Sequence, residues 1–220
     1  MGAIQSSLKS RFNDLFSALK GRKKASLSIL GLDSAGKTTL VNMLRGSTDE
    51  PIPTIGFNIE EVVFNNTSIK VWDVGGQNYF RKFWVDYAKD SDGLVFMIDI
   101  SNSQRFEDSY RAFEGIVPGL AEGIPIVLFL NKVDQLKGKV EEIDENVKKI
   151  EEIYQFEESR NRDSPTIRAV GKSFKAKICT VSVRDDTNVI KNGPNAKIQH
   201  SSIYPGFKWL IDSINNESTA

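Results

Sequence analysis

The sequence is poor in the residues that build disulfide frameworks and histidine-rich metal sites. Its 220 residues include one cysteine, Cys179, and one histidine, His200. A single cysteine excludes an internal disulfide and is typical of a reducing compartment. No apolar run is long enough to span a bilayer. The remaining composition, with 40% hydrophobic and 26% charged residues, predicts one globular domain with a substantial core.

Net charge is also absent, but the charges are unevenly distributed. Residues 1–24 carry six basic side chains and one acidic side chain, which leaves 23 basic and 28 acidic side chains in the rest of the chain. Apolar residues in this leader recur every three or four positions and predict an amphipathic helix: Ile4, Leu8, Phe12, Leu15, Phe16 and Leu19. A basic amphipathic helix favours contact with an anionic membrane surface, and a helix permanently docked on its own domain is the alternative.

The first residues of the leader fit the acceptor pattern for N-myristoylation at Gly2. One acyl chain alone gives marginal and reversible membrane attachment, so the lipid and the helix together would act as a reversible anchor. Nucleic-acid binding is disfavoured, because the basic residues flank an apolar stripe rather than stacking aromatics.

The most informative stretch runs from Gly31 to Thr39 and reads GLDSAGKTT. It fits the pattern G-x-x-x-x-G-K-[ST] and lies between a short apolar run, Leu27 to Leu30, and a helix-compatible segment. In this motif backbone N–H groups and a helix N-terminus bind phosphates, the lysine reaches the β- and γ-phosphates, and the next hydroxyl ligates Mg²⁺. The sequence therefore predicts a triphosphate site with Lys37 and Thr38 in these roles.

The segment after this loop has the features of a nucleotide-sensing region. Two predicted strands are joined by a turn-favouring stretch: Ile59 to Phe64 and Ile69 to Val74. The second strand ends in WDVGGQ, where Asp73 is placed to reach Mg²⁺ through water. The N–H of Gly76 would bond the γ-phosphate and Gln77 would orient the attacking water. In a P-loop GTPase a threonine at the position of Thr54 covers the γ-phosphate and the metal.

A third motif distinguishes between the purine bases. Two further buried strands are predicted at Gly93 to Asp99 and Ile124 to Leu130, and the second leads into NKVD. The Asp134 carboxylate can accept from the N1–H and the exocyclic amine of guanine, whereas adenine lacks this donor pair. Asn131 can support the base and the phosphate loop, and the Lys132 stem can lie along the purine plane. This motif opposes a kinase or ATPase, and motifs at strand ends predict an open α/β sheet.

Together these motifs resemble those of the ADP-ribosylation factor (Arf) and Arf-like branch of the small GTPases. The resemblance rests on GLDSAGKTT, PTIGFN and WDVGGQ in this order, together with the leader, and it weakens after about Asp134. It implies the small-GTPase form of the P-loop NTPase fold: an α/β fold with a mostly parallel central sheet, helices on both faces and an N-terminal amphipathic helix. We expect a leader at 1–24, a GTPase domain at 25–215 with extended loops near 136–170 and 184–202, and a tail at 216–220.

The family resemblance also implies a site. GTP, GDP and Mg²⁺ are its ligands, Gln77 and Lys37 are catalytic, and Thr38, Thr54 and, through water, Asp73 hold the metal. Thr180 is expected to offer its N–H to the guanine carbonyl oxygen, next to a buried Cys179. The predicted nucleotide-binding residues are Asp33, Ser34, Ala35, Gly36, Lys37, Thr38, Thr39, Thr54, Gly76, Asn131, Lys132, Asp134, Cys179 and Thr180.

The function implied is that of a GTP-binding and GTP-hydrolysing switch that recruits effectors to membranes in vesicle trafficking. No arginine is obviously placed to act in cis, so we expect slow hydrolysis without an activating partner. In the family, GTP makes the two strands slide by two residues, which preserves their faces and expels the leader onto the membrane. A nucleotide-gated membrane-binding module without physiological hydrolysis is the alternative.

The expected partners are an exchange factor, a GTPase-activating protein and an anionic membrane. Effector or coat proteins would bind residues 53–60 and 73–87, including the aromatic residues Phe57, Trp72 and Tyr87. We expect a cytoplasmic monomer that associates reversibly with the Golgi or another endomembrane.

Overall fold

The computed structural model describes residues 23–45, 47, 54–64, 67–157, 165–190 and 201–217. The predicted amphipathic helix, the acceptor Gly2, His200 and most of the predicted tail lie outside the described residues. Within the described part of the chain, no helix combines the length and the apolarity required to cross a bilayer.

Eight strands form one sheet: β1 (Lys23–Gly31), β2 (Phe57–Phe64), β3 (Thr67–Val74), β4 (Gly93–Asp99), β5 (Ile126–Asn131), β6 (Phe156–Glu157), β7 (Thr166–Ala169) and β8 (Lys172–Val181). Their order across the sheet is β2-β3-β1-β4-β5-β8-β7-β6. The five central strands are parallel, whereas β2, β7 and β6 pair antiparallel at the edges. This arrangement confirms the predicted mostly parallel sheet.

Among the described residues, seven α-helices accompany the sheet: α1 (Lys37–Leu44), α2 (Asn78–Arg81), α3 (Trp84–Lys89), α4 (Phe106–Glu114), α5 (Val140–Ile153), α6 (Val183–Ile190) and α7 (Tyr204–Glu217). Successive residues of β4 point to opposite faces of the sheet, so each face has its own core. Phe96 packs in the cluster that includes α3, α4 and α5. Met97 packs in the cluster that includes α1 and α7. The predicted helices on both faces are therefore confirmed.

The boundary predicted after residue 24 differs in the structure. Lys23 and Lys24 belong to β1, where they pair with Thr67 and Ser68 of β3. β3 begins at Thr67, two residues before the start that the apolar pattern predicts. Because β1 pairs with these additional residues, it extends by the same backbone hydrogen bonding toward the leader.

The regions expected as extended loops contain regular structure. Residues 136–170 include α5, which buries Ile150 and is followed by the buried Tyr154 at its C-cap, together with β6 and β7. A two-residue turn at Val170 and Gly171, both with positive φ, joins β7 to β8 and extends the sheet.

The region 184–202 likewise begins inside a helix. Helix α6 spans Val183–Ile190 and anchors itself by burying Val183 in the core. The prediction of a loop is therefore wrong for residues 184–190, which continue the helix that Val183 begins, whereas residues 191–200 lie outside the described part of the chain.

Candidate functional site

The phosphate loop lies between β1 and α1 and depends on two glycines. At Gly31 a Cβ would come within 2.3 Å of the Met97 carbonyl oxygen, and at Gly36 within 2.3 Å of the Asn131 amide nitrogen. Both have positive φ, so the loop can turn tightly against β4 and the start of α1. The loop borders a cavity of about 420 Å³. The lining residues are Asp33, Ser34, Gly36, Lys37, Thr38, Thr39, Thr54, Gly75, Gly76, Gln77 and Lys132.

Lys37 lies buried beneath the loop. Its Nζ donates to the carbonyl oxygens of Gly31 and Leu32, each at 2.9 Å. Burial lowers the pKa of Lys37 to about 8, against the opposing attraction of Asp73 and Asp33. The ammonium group is thus held at the phosphate loop in an environment that favours a nearby polyanion.

Three oxygen-bearing side chains meet at the floor of the cavity. The Thr38 and Thr54 hydroxyls lie 2.9 Å apart, and the Thr54 hydroxyl donates to Asp73 Oδ2 at 3.1 Å. Asp73 is only 1% exposed, and its Oδ1 is a buried polar atom with no hydrogen-bond partner among the described residues. Burial raises the pKa of this carboxyl group. An unpaired buried carboxylate oxygen beside two hydroxyls fits a hard cation such as Mg²⁺, which prefers oxygen ligands and retains waters.

The residues after β3 lie against the phosphate loop. A Cβ on Gly76 would come within 2.3 Å of the Asp33 backbone nitrogen, so only glycine allows this approach. Gly75 N–H donates to the Gly56 carbonyl oxygen at 2.9 Å, which ties this segment to the one that carries Thr54. Gln77 follows with an exposed side chain at the N-cap of α2.

Two arginines approach the phosphate loop, although sequence reasoning found none placed in cis. Arg105 donates to the Asp33 carboxylate at 2.7 Å and to its backbone oxygen at 3.1 Å. Arg81 lies 3.7 Å from the same carboxylate and donates to the Gly76 carbonyl oxygen at 3.2 Å. The hydrogen bond from Arg105 lowers the pKa of Asp33. Arg105 is 72 residues from Asp33 along the chain, so local patterns did not indicate this contact.

At the other end of the site, Asn131 links the phosphate loop to the segment that follows β8. Its amide nitrogen donates to the Ala35 carbonyl oxygen at 2.8 Å, and its amide oxygen accepts from Val183 N–H at 3.1 Å. The Lys132 Nζ binds Asp99 at 2.7 Å, which fixes the lysine stem beside the cavity. Asp134 Oδ1 accepts from the Ser182 hydroxyl at 2.9 Å.

The predicted contribution of Cys179 and Thr180 does not fit this geometry. They are inside β8, opposite Phe129 and Leu130, whereas the strand continues to Val181 opposite Asn131. Cys179 lies two positions before the end of the strand, which is a distance of about 6.6 Å at about 3.3 Å per residue. Ser182 and Val183, which we call the base loop, occupy the place assigned to Thr180. The prediction placed this segment too early because the sequence pattern did not indicate that β8 continues to Val181.

An exposed apolar surface lies beside the site. Phe57, Trp72 and Tyr87 pack together with ring centroids 4.9 to 5.9 Å apart. Ile55 is 84% exposed, and further exposed apolar side chains are Phe57, Ile59, Tyr79 and Phe83. Trp72 is half-buried against the core, so this cluster both packs and faces solvent.

Comparisons with known proteins agree with this geometry. The model of the ADP-ribosylation factor family matches residues 12–214. ADP-ribosylation factor J of Dictyostelium discoideum is 29% identical over 219 residues, which cover 99% of this chain and all of the relative. ADP-ribosylation factor K of the same organism is 30% identical over 213 residues, which cover 96% of each chain.

Two solved structures have the same fold. The ADP-ribosylation factor-like GTP-binding protein, or small COPII coat GTPase SAR1, of Encephalitozoon cuniculi was solved with GDP. It is 25% identical with a TM-score of 0.60, and the match covers 99% of this chain and 93% of that one. The Arl6 (BBS3) small GTPase of Trypanosoma brucei, solved with GppNp, is 20% identical with a TM-score of 0.60, and the match covers 88% and 99%. Since the family match spans most of the chain, this protein belongs to the ADP-ribosylation factor family of small GTPases.

Proposed function

We propose that this protein is a guanine-nucleotide switch that binds and hydrolyses GTP and, when GTP-bound, recruits effectors to membranes in vesicle trafficking. One observation carries the proposal: the Thr54 hydroxyl lies within 3.1 Å of both Thr38 and Asp73. A segment that precedes β2 therefore meets the phosphate loop and the end of β3 at one point. A γ-phosphate bound at that point would be sensed by both segments at once.

Guanine selectivity is supported by the base end of the site. The Asp134 carboxylate can accept two hydrogen bonds from guanine and would remain unsatisfied by adenine. In place of Thr180, we propose that the first turn of α6, directly after the base loop, supplies an N–H to the guanine carbonyl oxygen, because the N–H groups of Ser182 and Val183 already donate to Ser202 and Asn131. Competition of unlabelled GTP and ATP against fluorescent GDP tests this selectivity, and equal displacement by both would refute it.

Mg²⁺ fits the oxygen cluster described above. We propose that Thr38 and Thr54 hold the ion through their hydroxyls and Asp73 through water. When bound, the ion neutralises charge on the phosphates. The chain's own residues supply the orientation of the triphosphate, through the loop N–H groups and Lys37.

Hydrolysis is proposed to depend on Gln77, whose exposed side chain lines the cavity and would orient the attacking water. Both nearby arginines are engaged with Asp33, which supports slow turnover without an activating partner. An arginine supplied in trans raises the rate by roughly 10³- to 10⁵-fold in this reaction class. Single-turnover hydrolysis should be slower in Gln77→Leu than in the wild type, while GDP affinity is unchanged.

The matched control for that experiment is Gln135→Leu, because Gln135 is an exposed glutamine outside the phosphate end of the cavity. Equal rates for wild type and Gln77→Leu would remove Gln77 from the reaction. If the variant also retained its cellular function, the nucleotide-gated binding module without physiological hydrolysis would be favoured.

Effector or coat proteins are proposed to bind residues 53–60 and 73–87. The exposed Ile55, Phe57 and Ile59 offer the apolar centre that such an interface needs. An exchange factor and a GTPase-activating protein are the further partners proposed for this surface. The protein itself is proposed to be a monomer.

Membrane attachment is proposed to come from the leader and a myristoyl group on Gly2, with reversible association to the Golgi or another endomembrane. Sedimentation of the myristoylated full chain with anionic liposomes should be greater with a non-hydrolysable GTP analogue than with GDP. The matching control is the Gly2→Ala chain, which cannot be acylated. Equal sedimentation in both nucleotide states would defeat the switch model.

A further inference from the structure

Two residues outside the predicted site are connected to the base loop by hydrogen bonds. We propose that Asp186 and Ser202 are positioning residues that hold Ser182, so that Asp134 is aligned for the guanine base. The inference rests on the proposed function and deepens it. It concerns how strongly the site prefers guanine over a purine that lacks the exocyclic amine.

The contacts form one continuous chain. Asp186 Oδ2 accepts from the Ser202 hydroxyl at 2.6 Å, and the Ser202 hydroxyl oxygen accepts from Ser182 N–H at 3.0 Å. The Ser182 hydroxyl in turn donates to Asp134 Oδ1 at 2.9 Å. The Asp134 carboxylate, which would bind the base, is therefore connected to the Asp186 carboxylate through the hydroxyl groups of Ser182 and Ser202.

Each hydroxyl in this chain has a defined direction. A serine hydroxyl has one proton, and here both protons point to carboxylates. Their lone pairs accept from backbone N–H groups, since Asp185 N–H donates to the Ser182 hydroxyl at 3.2 Å. Because each hydroxyl joins a backbone N–H to a carboxylate, its removal leaves the N–H of Ser182 or Asp185 without this partner and takes one hydrogen bond away from a carboxylate.

Asp186 also fixes the segment that carries Ser202. Besides the Ser202 hydroxyl it accepts from the N–H groups of Ser202 at 2.9 Å and Ile203 at 3.3 Å. Asp186 is 6% exposed, and Ile203 is fully buried. The chain is thus anchored at Ser202 and Ile203, both in the core and on α6.

The affinities for guanine and hypoxanthine nucleotides would respond differently to a shift of these hydrogen-bonded residues. Guanine offers Asp134 two donors, the N1–H and the exocyclic amine, whereas hypoxanthine offers only the N1–H. Alignment of the carboxylate with two donors at once requires a fixed orientation, and Ser182 supplies part of it. A loosened base loop should therefore cost GDP more affinity than IDP.

The test measures the affinities of the full chain for GDP and IDP by displacement of fluorescent GDP in the presence of Mg²⁺. The wild type should prefer GDP by at least about tenfold, because a hydrogen bond to a charged group is lost with IDP. In Ser202→Ala this preference should fall by roughly threefold or more. Asp186→Asn retains the side-chain size and should reduce the preference in the same direction.

The matched control is Ser109→Ala, because Ser109 is also a buried serine, with its hydrogen bond to the Tyr154 hydroxyl at 3.0 Å in the core between α4 and α5. The control should keep the wild-type preference even if its melting temperature falls. An unchanged GDP-to-IDP ratio in Ser202→Ala would overturn the proposal, even with both affinities lowered. An equal fall in Ser109→Ala would overturn it too. A wild type that binds ATP as well as GTP would instead refute the proposed function.

Discussion

Raising the pH from 7 to 9 should weaken GDP binding by about tenfold, because Lys37 loses its proton in the free protein before it does in the complex. Burial lowers the pKa of Lys37 in the free protein to about 8, and among the described residues its Nζ donates hydrogen bonds to the carbonyl oxygens of Gly31 and Leu32. A bound β-phosphate adds negative charge beside the ammonium and raises this pKa. The contribution of the charge is therefore fully present well below pH 8, begins to fall as the pH rises through the pKa of the free form and continues to fall up to the higher pKa of the complex.

Calorimetry in buffers of different ionisation enthalpy measures the proton directly. At pH 8 about half a proton should be taken up for each GDP bound, and at pH 9 about 0.9. GMP is the control ligand, because it lacks the β-phosphate that Lys37 is proposed to reach, and its binding should take up no proton.

A GDP affinity that does not depend on pH would contradict this prediction. If GDP affinity stays constant between pH 7 and 9 and no proton is taken up, the ammonium is already fully charged in the free protein. Burial beneath the phosphate loop would then not depress its pKa.

Three further outcomes are expected. Asp73→Asn should abolish the dependence of the GDP release rate on Mg²⁺, measured with and without a chelator. The same variant should not lower the melting temperature of the metal-free protein, because burial already disfavours the charged carboxylate of Asp73. Val170→Asn should raise the urea midpoint by the equivalent of about 1 kcal/mol, since a β-branched residue at φ 50° is strained and asparagine tolerates this conformation. An unchanged midpoint would show that the turn stores no strain. Arg105→Ala should accelerate GDP release by about fivefold, which corresponds to the loss of the stabilisation that a partly exposed ion pair with Asp33 contributes. The control Arg111→Ala, which removes an exposed arginine, should leave the release rate unchanged.

The sequence by itself determined the parts of the site whose chemistry is local. The phosphate loop needs particular residues within eight consecutive positions, so its pattern could be recognised without a partner strand. The strand Gly93–Asp99 was predicted with its observed bounds, because a strand covered on both faces is apolar throughout. Asn131 is the last residue of a strand of the same kind, and Asp134 follows three residues later.

Strand ends are harder to predict where polar and apolar residues alternate. β8 carries lysines at partly or fully exposed positions, and its apolar residues indicate a strand without indicating where it ends. Pairing with β5 decides that the strand continues to Val181. The base loop therefore begins at Ser182, two residues beyond the position that local reasoning chose.

Only the tertiary structure decided which distant residues complete the site. Arg105 reaches Asp33 across 72 residues, and Ser182 reaches Asp134 across 48. Such contacts depend on how the parallel strands are ordered, because that order brings the ends of β1, β4, β5 and β8 to one edge of the sheet. Short motifs identify the groups that can bind a phosphate or a base, and strand order determines which other side chains hold those groups in place.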